Sequence, residues 1–128
     1  MSYPLTDRQV EAGAILTEAL DKTGLAPGSA FWLFDADADS WKLVFASNVV
    51  ESAGPRKAYA TIQATLVKLG TQTQEIRLGD TVLMEPTHPL IIALRSAVRT
   101  GSGISRIRFS RNRVGSHFID DALIYRNN

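Results

Sequence analysis

Two short apolar runs, Ala30-Phe-Trp-Leu-Phe34 and Trp41-Lys-Leu-Val-Phe-Ala46, lie on either side of the segment Asp35-Ala-Asp-Ala-Asp-Ser40. The runs are rich in aromatic and β-branched residues, the composition of strands. The segment between them carries Asp at alternate positions, and Asp side chains bond nearby backbone amides in turns. The three stretches therefore read as a β-hairpin, and the rest of the chain must supply the elements that cover it.

The spacing predicts a helix over roughly residues 7–23 before this hairpin. Thr6 is placed to cap it, Gln9 completes a capping-box pattern, and Leu5 with Val10 occupies the hydrophobic-staple positions. Gly24 is expected in the left-handed conformation that ends helices. Val10, Ala14, Leu16 and Leu20 mark the buried side. A second helix is expected at about 55–69, with Pro55 in its first turn, Gly70 past its end, and Tyr59, Ile62, Leu66 and Leu69 at helical spacing.

Glu75–Leu78 and Thr81–Met84, on either side of Gly79-Asp80, read as a second short hairpin. A third helix is expected over about 88–99, started near Thr87 and Pro89 and stopped by Gly101-Ser-Gly103. Ile104–Phe109 and Ala122–Arg126 read as strands that neighbour one another in an antiparallel sheet.

The order is α-β-β-α-β-β-α-β-β. Paired strands separated by single helices define an α+β fold, a mostly antiparallel sheet of about five or six strands with three helices packed on one face. The strict β-α-β alternation of a doubly wound nucleotide-binding fold is missing. No repeat, low-complexity tract or linker interrupts the chain, so residues 1–128 read as one domain.

Composition narrows the function classes. Apolar residues at 45% and charged residues at 21% are too rich a mixture for disorder. The longest apolar runs, such as Leu90 to Leu94, fall far short of the roughly 20 residues a membrane span needs. The N-terminal stretch MSYPLTDRQVEAG shows no basic region followed by an apolar core, and a cytoplasmic location is expected. With zero cysteines, disulfides, thiolate-zinc sites and thiol catalysis are excluded.

The net charge of +1 conceals an asymmetry: residues 1–53 carry eight acidic and three basic side chains, and residues 54–128 five acidic and eleven basic ones. Every cation after Lys68 is an arginine, the residue suited to bidentate contact with phosphate or carboxylate and to interfaces.

Three constellations bear on chemistry. Asp35, Asp37 and Asp39 match the first ligand positions of an EF-hand loop, but Ser40 stands where glycine is required and Ala46 where glutamate is required. With strands on both sides, the segment is a turn. Arg56 and Lys57 occupy the first turn of the second helix, against the helix dipole, and so suggest a small anion or phosphate ligand there. Arg106, Arg108, Arg111, Arg113 and His117 form the strongest local feature. Arg106 and Arg108 alternate with Ile107 and Phe109 along a strand, and the other three follow in a loop containing Gly and Ser. Such a basic stripe suits a protein partner, or phosphates of a nucleic acid, or serves as the charged face of an edge strand.

A metal-independent ribonuclease would use His117 with Glu85 or Asp121 and an arginine. His117 and Asp121 would stand about 13 Å apart on one straight strand, too far for a catalytic pair. Glu85 and His88 read as a polar cap rather than the start of a zinc site. No catalytic residue, metal ligand set or cofactor motif is assigned. The leading expectation is a non-enzymatic module that binds a protein partner or associates with itself. The alternatives are a nucleic-acid binder or ribonuclease and a small-anion sensor.

Overall fold

The computed structural model describes residues 4–128; the first three residues of the N-terminal stretch lie outside the described residues. The elements are α1 (Asp7–Leu20), β1 (Ser29–Asp35), β2 (Ser40–Ala46), the one-turn α2 (Val49–Ser52), α3 (Pro55–Leu69), β3 (Thr81–Met84), α4 (Pro89–Ala97), β4 (Ile107–Val114) and β5 (His117–Asn127). The five strands form one sheet in the order β3-β2-β1-β5-β4. The α+β class, the mostly antiparallel sheet and the three long helices are those the sequence implies.

Local chemistry explains the elements that match. Gln9 N–H donates to Thr6 Oγ1 at 3.1 Å while Thr6 N–H donates to Gln9 Oε1 at 2.9 Å, closing the capping box. Pro55 opens α3, and Gly70 closes it at φ 56°. Asp35 Oδ1 accepts from the N–H groups of Asp37 and Ala38 at 3.1 and 3.3 Å, so the acidic segment is a side-chain-braced turn between β1 and β2.

Four expectations are corrected. Helix α1 stops at Leu20 and not at residue 23: Thr23 Oγ1 donates to Leu20 O at 2.7 Å and accepts from Leu25 N–H, drawing the chain out of the helix before Gly24. Glu75–Leu78 is not a strand, because Asp80 takes up the Arg77 N–H at 3.1 Å and Thr81 Oγ1 donates to Leu78 O at 2.6 Å. These bonds wind Leu78–Asp80 into a single 3-10 turn, so only β3 remains of that hairpin. Strand β3 then pairs with β2 in parallel, with α2 and α3 forming the crossover such pairing requires. Finally, the helices do not share one face.

The sheet separates two apolar layers. On one side α1 and α3 pack against Trp32, Leu43, Phe45, Leu123 and Tyr125. On the other, Leu90, Ile91 and Leu94 of α4 cover Phe31, Val44, Ala46, Ala122 and Ile124. Strand alternation sends neighbouring residues of β1 and β2 to opposite layers, so both faces of these central strands are buried. Helix α1 is fixed by close approach at Gly13, where a Cβ would lie 2.3 Å from the Tyr125 hydroxyl. That hydroxyl donates to Val10 O at 2.6 Å and accepts from Trp32 Nε1–H at 2.9 Å. Burial pushes its ionisation well above the usual tyrosine range.

The C-terminal end of β5 is held by polar groups. Arg126, 4% exposed, makes two bonds to the Asp21 carboxylate at 2.7 and 2.8 Å and donates to the carbonyls of Pro27 and Gly103. Asn127, fully buried, accepts from Ser29 Oγ and donates from Nδ2 to Val98 O.

Candidate functional site

The ladder between β1 and β5 runs from Ser29↔Asn127 to Leu33↔Ala122 and ends there. Beyond it β1 stays paired with β2 alone, through Asp35↔Ser40, and β5 stays paired with β4 alone, through Val114↔His117. The sheet thus opens into two diverging hairpins, with Phe34–Asp35 on one lip and Phe118–Asp121 on the other. A hollow lies on each face of the opening, and Phe34 and Asp120 border both.

An irregularity in β4 and β5 produces the opening. Phe109 and Val114 belong to the same apolar layer although they are five residues apart, and so do Ile119 and Ala122, three apart. Regular alternation would place the members of each pair on opposite faces. Register is nevertheless the same on both sides, Ser110↔Asp121 and Asn112↔Ile119. Arg111, in the left-handed region at φ 48°, and Asp120 opposite it fall outside the ladder and absorb the change of face. The flip turns Ile119 and Val114 inward, 2% and 4% exposed, and leaves Phe118 58% exposed. The tip of this ribbon rests on α4, where Gly115 at φ 58° leaves room for the Ala93 methyl.

The hollow on the α4 side has a volume of ≈ 660 Å³. Its floor is apolar, formed by the half-buried or buried Leu33, Val44, Val82, Met84 and Leu90, and its rim carries Asp35, Asp37, Asp120, Lys42, His117 and Phe118. The hollow on the α1 side, ≈ 580 Å³, is more polar. There Phe34 and Trp41 meet edge to face at 5.4 Å, and the Arg108 guanidinium lies 5.7 Å from the Trp41 ring. Asp121 accepts from Arg108 Nε at 2.8 Å and Nη2, and from Ser110 Oγ at 2.6 Å. The hydrogen bonds from Arg108 hold the Asp121 carboxyl below its usual range and raise the guanidinium in turn.

The expected basic stripe is thereby divided. Arg106 lies just before β4 and is bound to Glu11 of α1 at 2.7 Å. Arg108 is taken up by Asp121. Arg111 and Arg113 are exposed on β4, and their guanidinium groups make no hydrogen bond or ion pair among the described residues. These two residues and His117 belong to a hairpin and not to a loop, because Gly115 and Ser116 alone form the connection. His117 borders the α4-side hollow, whereas Asp121 borders the other, so the pair considered for ribonuclease chemistry is not brought together. Arg56 and Lys57 stand apart from the cleft, exposed on the first turn of α3, where Gly54 provides no side-chain cap. His88 caps α4 by accepting from Leu90 N–H at 3.1 Å, the polar-cap role expected for it.

Sequence reasoning missed the cleft and the residues that shape it, Phe118 and Asp120 above all. A usable signal was present: strict alternation from Phe109 to Val114 would turn Arg111 and Arg113 inward and Val114 outward. Among the described residues no three His, Asp or Glu side chains converge as metal ligands, and no helix is long and apolar enough to cross a membrane. Comparison with protein-family models, curated proteins and solved structures returned no match to this chain.

Proposed function

We propose that this chain is a non-enzymatic protein-binding module and that the cleft between its two hairpins receives the partner. The observation that carries this reading is the α4-side hollow, with an apolar floor, a carboxylate-rich rim and the exposed ring of Phe118 beside it. Apolar surface ringed by polar groups is the pattern of protein interfaces, and aromatic residues at such a rim act as anchors. The rim chemistry favours a partner element that combines apolar and basic side chains.

Two alternatives have weaker support. A nucleic acid would meet Asp35, Asp37 and Asp120 at the cleft, and Arg106 and Arg108 already have carboxylate partners. It predicts binding of short RNA or DNA that weakens steeply with salt as counterions are released. An anion at Arg56 and Lys57 predicts thermal stabilisation by phosphate through mass action.

The test places a photo-crosslinking phenylalanine analogue at Phe118 in the full chain within its native cells. Val67, exposed on α3 away from the cleft, serves as the control position. Protein adducts at 118 and not at 67 are expected. No adduct at 118 would overturn the reading, and salt-sensitive nucleic-acid binding would then favour the first alternative.

A further inference from the structure

We propose that the occupant of the cleft is a second copy of this chain, the β4–β5 ribbon tip of each copy seated in the α4-side hollow of the other. The inference rests on the reading of the cleft as a protein-binding site and names the partner. Socket and plug lie side by side. Phe118 borders the hollow and is itself 58% exposed, so a two-fold axis through that shared rim exchanges the two rings between copies.

The chemistry is self-complementary. Arg113 pairs directly across the ribbon from Phe118, and opposed residues of an antiparallel pair project from the same face. The plug therefore presents an aromatic ring and a guanidinium with no partner among the described residues. The socket offers an apolar floor and, on its rim, the carboxylate of Asp37. Asp35 already accepts two turn amides, whereas Asp37 is exposed and its carboxylate makes no bond among the described residues. Arg113 of one copy is thus matched to Asp37 of the other. The asymmetry between an acidic N-terminal half and a basic C-terminal half becomes an attraction between copies.

The other route to a dimer, continuation of the sheet from β4 to β4, is disfavoured. Arg111 in the left-handed conformation interrupts that edge, and the edge would bring Arg111 and Arg113 against their own kind.

The test is sedimentation equilibrium of the full chain from about 1 to about 100 µM, a range that brackets micromolar dissociation. A dimer is expected, with Phe118→Asp and Arg113→Glu each raising its Kd by at least about tenfold, as loss of an interface anchor does. Both side chains are exposed, so both variants are expected to fold, and unchanged circular dichroism and melting check this. The decisive variant is Arg113→Glu combined with Asp37→Arg, which restores the dimer if the two groups meet across copies. A chain that stays monomeric at the highest concentration overturns the proposal, as does a dimer indifferent to Phe118→Asp and Arg113→Glu, or a charge swap without rescue. Crosslinking at 118 to a different protein would then leave the cleft reading standing, and no crosslink at all would remove both.

Discussion

Alanine in place of a helical glycine ordinarily stabilises a protein by about 1 kcal/mol; at Gly13 the structure reverses the sign. The new Cβ would sit 2.3 Å from Tyr125 Oη, 2.7 Å from Trp32 Nε1 and 2.9 Å from Tyr125 Cε2. All three atoms belong to rings that are fully or almost fully buried. Neither ring swings away freely, since the hydroxyl is bonded on both sides, to Val10 O and Trp32 Nε1. Overpacking of this kind costs about 1–3 kcal/mol. Pushing the hydroxyl aside leaves the buried indole N–H unpaired for another 1–3 kcal/mol, roughly. After the propensity gain is subtracted, Gly13→Ala is expected to destabilise the fold by about 3 kcal/mol. Urea unfolding followed by circular dichroism and tryptophan fluorescence measures it. Tyr125→Phe removes the atom of closest approach, so the double variant should be less destabilised than the sum of the singles, with a coupling of about 1 kcal/mol. If Gly13→Ala unfolds at higher urea than the parent, the account of how α1 docks is wrong.

Other perturbations probe separate parts of the structure. Gly115→Ala combines a left-handed backbone at φ 58° with a Cβ 3.3 Å from that of Ala93, and should cost about 1–2 kcal/mol in the same unfolding assay. Thr73 Oγ1 is buried without a partner among the described residues, so Thr73→Val should leave the unfolding midpoint unchanged or raise it by up to about 1 kcal/mol. Arg126→Met removes the buried side of a two-bond ion pair; with the Asp21 side chain 38% exposed, the loss should be about 2–3 kcal/mol, below that of a fully buried pair. The Asp121 carboxyl titrates below its unfolded value, so its contribution is present above about pH 4 and lost as pH falls through the folded value. Asp121→Asn should therefore flatten the acid limb of a stability–pH profile, by less than about 1 kcal/mol because both partners are partly in water.

The helices and the first hairpin were legible because the relevant signals are local. Thr6 with Gln9, Pro55 with Gly70, and the acidic turn each act within a few residues of themselves. What failed depends on contacts distant in sequence. Gly79-Asp80 looks like a hairpin turn until Asp80 is seen to cap the Arg77 amide and β3 to find β2 instead. Arg126 reads as the polar end of a strand, yet Asp21, 105 residues away in sequence, makes its burial tolerable. The arginine series was found, but its partners Glu11 and Asp121 were not, since no spacing rule links β4 to α1 or sets the β4–β5 register. The cleft was illegible for the same reason: it is made by the end of one ladder.

The change of face at Arg111 and Asp120 explains why that ladder ends. Had β4 kept the alternation set by Phe109, Arg111 and Arg113 would point into the layer beneath α4 and Val114 would point to water. Had β5 kept the alternation set by Ala122, Asp120 would point inward and Ile119 outward. Burying a single unpaired guanidinium or carboxylate costs several kcal/mol at least, against about 1–2 kcal/mol for one arginine in the left-handed region. The irregular ribbon is the cheaper solution. Its consequences go beyond stability: the flip breaks the regular edge of β4, turns the ribbon from β1 so that the hollow opens, and moves Phe118 and Arg113 to the surface beside it. A polar residue placed out of phase in two facing strands thus creates the cleft together with the groups proposed to fill it.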